Sequence, residues 1–363
     1  MPARVVTNAE LATMLDTTDE WIVERTGIRE RRIAGEGETT ATLALAAARA
    51  ALERADADPR DIGLIIVATS TPDRLMPATA CRVQNELGAV HAGAFDLNAA
   101  CSGFVYALTM GQAAIAAGIY QSVLVIGADT MSTVINWQDR ATAVLFGDGA
   151  GAVLLRATDE DYGVLATLLG ADGAGDELLS IPAGGSAQPA TAKSVDAGLH
   201  TLQMNGRMVF RFAAHILPEA TLEVLRTAGL SLDAVDWIIP HQANVRIVEA
   251  AAERLKVPLA RFALNIGAYG NTSAASVPIA LCEAAEDGRI EPGQHVVLVG
   301  FGAGLTWAAA VVRWGAAQAP TRPGLHRVFR RLLYRWAALR TGAVRCLQRL
   351  LDRIVGLWRR AER

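Results

Sequence analysis

Two glycine-punctuated apolar stretches, roughly half a chain apart, constrain the fold of this chain more than any other feature. The first is Phe146-Gly147-Asp148-Gly149-Ala150-Gly151-Ala152-Val153-Leu154-Leu155. The second is Gly300-Phe301-Gly302-Ala303-Gly304-Leu305-Thr306-Trp307-Ala308-Ala309-Ala310-Val311-Val312. Residues 61–68 correspond in the same way to residues 233–240. A pattern written twice predicts two similar halves packed together. Unbroken apolar runs such as residues 62–69 suit strands buried on both faces. They alternate with helical patterns: helix 39–55, strand 62–69, helix 79–87, strand 94–97, helix 101–117 and strand 122–127. Later come helix 222–228, strand 235–240, helix 244–255 and strand 296–299, while 170–200 reads as loop. This is an α/β signature, with two βαβ-type halves (1–165 and 166–315) whose sheets lie between helices. Each glycine stretch reads as a tight turn between two strands. The first resembles a phosphate loop, but no Lys-Ser/Thr follows it.

A chain of 363 residues, 52% hydrophobic and 20% charged, has ample material for such a core. Its four cysteines, at 81, 101, 282 and 346, form no CxxC and no His/Cys cluster. That argues against disulfides and zinc, and a reducing cytosol is the simplest setting. The first residues hold no apolar signal core, and no run of ~18 uncharged apolar residues is long enough to span a bilayer. Net charge is −3 but unevenly spread: from Gly315 onward there are twelve arginines, no lysine and two acids. That stretch carries +10 and leaves −13 on residues 1–314. No nucleic acid is expected as a partner.

Candidate chemistry begins at residues 94–110. A short strand runs through small residues to Cys101, where a long apolar helix is expected to begin. Unpaired N–H groups at a helix start favour negative charge, so this thiol is expected to ionise more easily than a free cysteine at ~8.5. The same groups suit an oxyanion. By itself the stretch is equally that of an inert buried thiol. Residues 16–32 combine Trp21 with four arginines, which can grip phosphate and stack on a base. Composition alone favours a solvated face there. In the second half, His241 directly follows an apolar strand, and Asn271 stands where a helix starts. Ligands bind beyond the carboxyl ends of strands in α/β folds. A cysteine, a histidine and an asparagine at such turns favour catalysis.

Five motifs give the chain a resemblance to β-ketoacyl-acyl-carrier-protein synthase III, a condensing-enzyme family of the thiolase superfamily. They are Asp-Glu-Trp-Ile-Val-Glu-Arg-Thr-Gly-Ile-Arg-Glu-Arg (19–31), Ala-Ala-Cys-Ser-Gly-Phe (99–104) and Phe-Gly-Asp-Gly-Ala-Gly-Ala (146–152), with His-Gln-Ala-Asn (241–244) and Gly-Asn-Thr-Ser-Ala-Ala-Ser-Val-Pro (270–278). The match spans about residues 6–314 and implies a thiolase-like fold. It also implies a ping-pong reaction in which Cys101 takes an acyl group from acyl-CoA. Malonyl-acyl-carrier-protein then loses carbon dioxide, and the enolate attacks the acyl-cysteine. His241 and Asn271 would donate hydrogen bonds to the enolate oxygen, and the N–H groups of Cys101 and Ala303 would hold the other oxyanion.

On the same resemblance, Trp21 and Arg140 clamp the CoA adenine, Arg25 lies near its phosphates, and Gly206, Phe210 and Asn244 line the pantetheine tunnel. Arg211, Arg246, Arg254 and Lys256 are the expected contacts for the acidic carrier protein. No cofactor or metal is implied, CoA being a substrate, and the expected assembly is a cytoplasmic homodimer. Relatives begin with an additional strand, so the first sheet is expected to have an unfilled place, and a start codon further upstream is the expected reason. Met76 stands where a partner subunit's aromatic closes the acyl pocket, which implies primers longer than acetyl. The family leaves three rivals: a priming synthase of secondary metabolism, a thioester hydrolase using Cys101 and His241, and a non-catalytic subunit. A thiolase would carry a second cysteine near 300–305, and there is none.

Residues 316–363 form a third segment. Val328, Leu332, Trp336, Leu339, Ala343, Leu347, Leu350, Ile354 and Trp358 recur at steps of four and three, with arginine between them. A basic amphipathic helix over 326–360 suits peripheral contact with a membrane or an acidic partner. Folding back on the acidic body is the equal alternative.

Overall fold

The computed structural model describes residues 1–315 and, in the tail, residues 332–334, 336–337, 339–340, 343 and 351. Strand β1 (Arg4–Thr7) pairs antiparallel with β2 (Glu30–Ile33), with helices α1 (Asn8–Ala12) and α2 (Asp19–Thr26) between them. The first half then runs α3 (Thr40–Arg54), β3 (Leu64–Ala68), α4 (Thr79–Leu87), β4 (Gly93–Leu97), α5 (Gly103–Ala116), β5 (Ser122–Thr130), α6 (Arg140–Ala143) and β6 (Asp148–Arg156). The second runs β7 (Gly163–Ala171), β8 (Leu179–Ser180), α7 (Ala192–Asp196), β9 (Gln203–Met204), α8 (Gly206–Thr227) and β10 (Trp237–Pro240). It ends with α9 (Val245–Leu255), α10 (Ile266–Tyr269), α11 (Ser276–Glu286), β11 (His295–Gly302) and β12 (Thr306–Arg313). The halves therefore divide within 157–162 rather than at 165.

Side-chain alternation along the strands builds five layers. In the first sheet, Leu64, Ile66 and Ala68 of β3 and Val123 and Val125 of β5 face inward onto α5 and α11. Ile65, Val67, Leu124 and Ile126 face outward onto α3 and α4. The second sheet divides the same way: Val296, Leu298, Ala308 and Ala310 point to the central helices, and Val297, Val299, Ala309 and Val311 point to α8 and α9. Both faces of both sheets are covered, which is why these strands read as unbroken apolar runs.

The sheet orders are β4-β3-β5-β6 and β10-β11-β12-β7. Matching β3 to β10, β5 to β11 and β6 to β12 superposes the two halves. The outer edge of β12 is filled by β7, whereas among the described strands nothing fills that edge of β6. The unfilled place expected from the sequence is thus present.

Two expectations are corrected. Residues 146–155 are not a turn between two strands: α6 leads into the single strand β6, and Phe146 forms only an isolated bridge to Asn271. Its glycines serve close packing instead. A Cβ at Gly147 would lie 2.3 Å from the Tyr269 carbonyl oxygen, and one at Gly151 would lie 2.8 Å from the Ile279 nitrogen. Helix α8 begins not near 222 but at Gly206, where the Asn205 side chain caps Met208 N. Pro218 lies inside this helix, where it costs one backbone hydrogen bond.

Candidate active site

Cys101 lies at the carboxyl side of β4, in a single 3-10 turn (Ala100–Ser102) ahead of α5. The helix proper starts at Gly103, two residues later than expected. Ala100, at a φ of 47°, bends the chain out of the helical path. A non-glycine residue held there is backbone strain of the kind that gathers at functional sites. The sulfur is buried and donates to Ser273 Oγ at 3.5 Å. Burial pushes the thiol up to about 12, against the opposing Ser273 hydrogen bond. The expectation of an easily ionised thiol is therefore corrected: removal from water outweighs the helix start.

His241 follows β10 directly, and its N–H bonds the Val299 carbonyl at 2.8 Å, extending the parallel pairing past Pro240. The ring packs edge-on to Phe301, with centroids 5.1 Å apart. Burial pushes it down to about 3, so it is a neutral imidazole. Its Nδ1 is buried without a hydrogen-bond partner. Asn271 is held from the first half: its N–H bonds the Leu145 carbonyl at 2.8 Å, and its carbonyl accepts Gly147 N–H at 3.0 Å. The carboxamide Oδ1 accepts Ser273 N–H at 2.8 Å, which leaves the amide N–H pair to donate.

Cys101, His241 and Asn271 line one cavity of about 80 Å³, along with Phe146, Gly206, Phe210, Asn244 and Phe301. Three elements from two halves thus bring a sulfur, an imidazole and a carboxamide to a void of short-acyl size.

Hydrogen bonds the sequence did not single out hold this geometry. Thr306 Oγ1 donates to the carbonyls of Ala303 (2.9 Å) and Ala99 (3.1 Å), and Ser102 Oγ donates to Thr306 Oγ1 (2.8 Å). The 303–306 turn is thereby bolted to the nucleophile turn. Gly302 permits the approach, because a Cβ there would lie 2.6 Å from Cys101 N. Asp129, fully buried at the end of β5, accepts at Oδ1 from Thr69 Oγ1, Ser70 N and both N and Oγ1 of Thr71. Its Oδ2 accepts from Ala274 N. These bonds fix the loop that presents Ser273 to Cys101. A visible signal existed for Asp129, namely a polar residue at the carboxyl end of an apolar strand.

Trp21 on α2 has two guanidinium neighbours: that of Arg25 lies 4.9 Å from its ring centroid and that of Arg140 4.8 Å. Arg140 also donates to the Asp16 carbonyl at 2.6 Å. Asn244 caps α9 through Arg246 N and donates to the Arg25 carbonyl at 2.9 Å, tying the clamp to the tunnel wall. Not every arginine of 16–32 faces solvent. Arg31 is fully buried, bonded to Val6 O, Asn8 Oδ1 and Val144 O, and burial lowers it to about 10. Arg211 and Arg254 line a neighbouring cleft of about 720 Å³, with Arg254 bonded to Glu219 and His215. Arg246 opens α9, while Lys256 caps its far end.

Residues 95–173 match the family model for 3-oxoacyl-[acyl-carrier-protein (ACP)] synthase III, and residues 225–314 match the model for its C-terminal part. A relative named beta-ketoacyl-[acyl-carrier-protein] synthase III, from Roseiflexus sp. (strain RS-1), is 52% identical over 316 residues, covering 87% of this chain and 96% of its own. The crystal structure of the Thermus thermophilus synthase III is 48% identical with a TM-score of 0.81, covering 86% of this chain and 96% of that one. The priming beta-ketosynthase of the R1128 polyketide pathway is 38% identical, also at 0.81, covering 87% and 94%. Two halves of thiolase-type fold, the three side chains meeting in one cavity, and relatives matched over almost their whole length place this chain in the β-ketoacyl-acyl-carrier-protein synthase III family.

Proposed function

We infer that this chain, an enzyme of its family, is an acyltransferase that condenses an acyl-CoA with malonyl-acyl-carrier-protein, the reaction that initiates fatty acid synthesis, with Cys101 as the acyl carrier. The observation that carries the residue roles is the shared cavity of Cys101, His241 and Asn271. The resting pair is neutral thiol and neutral imidazole, so acylation does not start from a standing thiolate. The thiol proton leaves as sulfur bonds the thioester carbonyl, and CoA departs as its thiol. In the second half-reaction the C–CO₂ bond of the malonyl group breaks. His241, through its one N–H, and Asn271, through its amide, donate to the enolate oxygen. The enolate carbon attacks the acyl-cysteine carbonyl, and the C–S bond breaks to return Cys101. Loss of carbon dioxide supplies the driving force, and the chemistry calls for no cofactor.

The Arg25–Trp21–Arg140 stack suits an adenine sliding between Trp21 and Arg140, and the cleft lined by Arg211 and Arg254 suits an acidic carrier protein. A cytoplasmic homodimer fits the open edge of β4 and the neighbouring loop, where Leu75 is 91% and Met76 83% exposed.

Mass spectrometry after exposure to a panel of acyl-CoAs tests the reading. An acyl mass on Cys101, absent from Cys101→Ala, and a 3-oxoacyl product on adding malonyl-acyl-carrier-protein are expected. Release of free acid alone would make the protein a thioester hydrolase.

A further inference from the structure

The family match ends at residue 314, before the tail, whose described residues divide into two faces. One face is docked on the first half. Leu333 and Ala337 pack over Gly88, where an added Cβ would meet Leu333 Cδ2 at 2.9 Å and Ala337 Cβ at 3.8 Å. Tyr334 joins the apolar cluster beneath α3 and lies 4.9 Å under the Arg49 guanidinium, while Arg340 donates to Asn85 Oδ1 at 3.0 Å. The tail helix is therefore folded back on the body, as one of the two sequence readings expected. The face that packs is 333, 337 and 340, however, not the apolar stripe.

The described part of that stripe is turned outward. Leu332, Trp336 and Leu339 are 55%, 58% and 72% exposed, and Ala343 is exposed as well. The Arg340 guanidinium lies 5.5 Å from the Trp336 ring centroid. The remaining stripe positions, Val328, Leu347, Leu350, Ile354 and Trp358, lie outside the described residues.

We propose that the stripe through Leu332, Trp336 and Leu339 lays this enzyme on the surface of an anionic lipid bilayer. Docking by Leu333, Tyr334 and Ala337 fixes the helix so that its largest apolar side chains cannot turn into the core. A row of leucine and tryptophan in a segment rich in arginine is the composition of an interfacial helix. Charge selects the occupant. A body at −13 is repelled by anionic lipid, whereas a segment at +10 is attracted and sets the orientation. A second copy would bring +10 against +10. A fluid surface moulds around these side chains, where a protein partner would need a groove of its own.

The test sediments the full chain with vesicles of phosphatidylglycerol and phosphatidylcholine in equal parts, and with phosphatidylcholine alone. Binding is expected to the mixed vesicles only and to weaken with added salt. The triple variant Leu332→Ser, Trp336→Ser, Leu339→Ser should lose on the order of tenfold or more in partitioning, with condensation of soluble substrates unchanged. Because those positions are exposed, that unchanged rate also shows that the variant is folded. Equal binding by the triple variant, or none by the parent chain, overturns the proposal. So does binding that acyl carrier protein abolishes, since the face would then belong to an acidic protein. The readout is lipid binding, so it stands or falls separately from the condensation chemistry.

Discussion

Burial dominates the electrostatics of the two titratable residues in the cavity, and it makes both neutral. His241 is held at about 3 against an ordinary 6.5, so between those values the unfolded chain binds a proton that the folded chain does not. Stability is therefore full above pH ~6.5 and falls as pH drops toward 3, by on the order of a few kcal/mol in all. Urea unfolding at pH 7.5 and pH 5 should show this slope, and His241→Asn should flatten it. Cys101, raised to about 12, should react with iodoacetamide slowly at neutral pH and faster as pH climbs well past the range of a free thiol. A plateau near pH 8 would mean that the site stabilises a thiolate after all. Removing a donor separates the half-reactions. Asn271→Ala should keep acylation of Cys101 yet lower decarboxylation of malonyl-acyl-carrier-protein by about 10²-fold or more, measured as carbon dioxide release.

The elements place these groups through backbone contacts that single residues cannot reveal. Gly302→Ala brings a Cβ to 2.6 Å from Cys101 N and 3.1 Å from Ala100 Cβ, both within the nucleophile turn. Overpacking of this kind costs about 1–3 kcal/mol, and a displacement near 1 Å at the reacting sulfur costs about 10²-fold in rate. The variant should melt lower and acylate slowly; wild-type acylation would show that the turn has room. The same elements mark where a sequence is readable. Strands such as β3 and β5, buried on both faces, announce themselves by unbroken apolar runs, and α3 and α9 by caps at Thr39 and Asn244. Residues 146–155 misled because glycine spacing looks alike in a turn and in a strand pressed against a helix, and only the partner, α11, distinguishes them. Cys101, His241 and Asn271 were legible as polar residues at strand ends and helix starts, whereas the rise of the thiol was not. It depends on how completely elements from both halves exclude water.

At the scale of the molecule, duplication explains both what is complete and what is open. The two central helices, α5 and α11, begin at the active site, and the interlock of β6 with α11 through Gly149 and Gly151 fixes one half against the other. In the first sheet both edges stay open among the described strands, that of β6 and that of β4. In the proposed homodimer the open β4 edge and its neighbouring loop meet a second copy, and the exposed Met76 of each protomer closes the acyl cavity of the other. Methionine is unbranched and yields to a longer chain, where a phenylalanine ring would not. The parent chain should therefore load primers longer than acetyl on Cys101, and Met76→Phe should narrow loading toward acetyl while leaving the acetyl rate near the parent value. Acyl masses on Cys101 across a series from acetyl-CoA to decanoyl-CoA decide it. Strict acetyl preference in the parent chain would remove Met76 from the pocket. A Met76→Phe profile unchanged in a protein that sediments as a dimer would place the closing residue elsewhere on that interface.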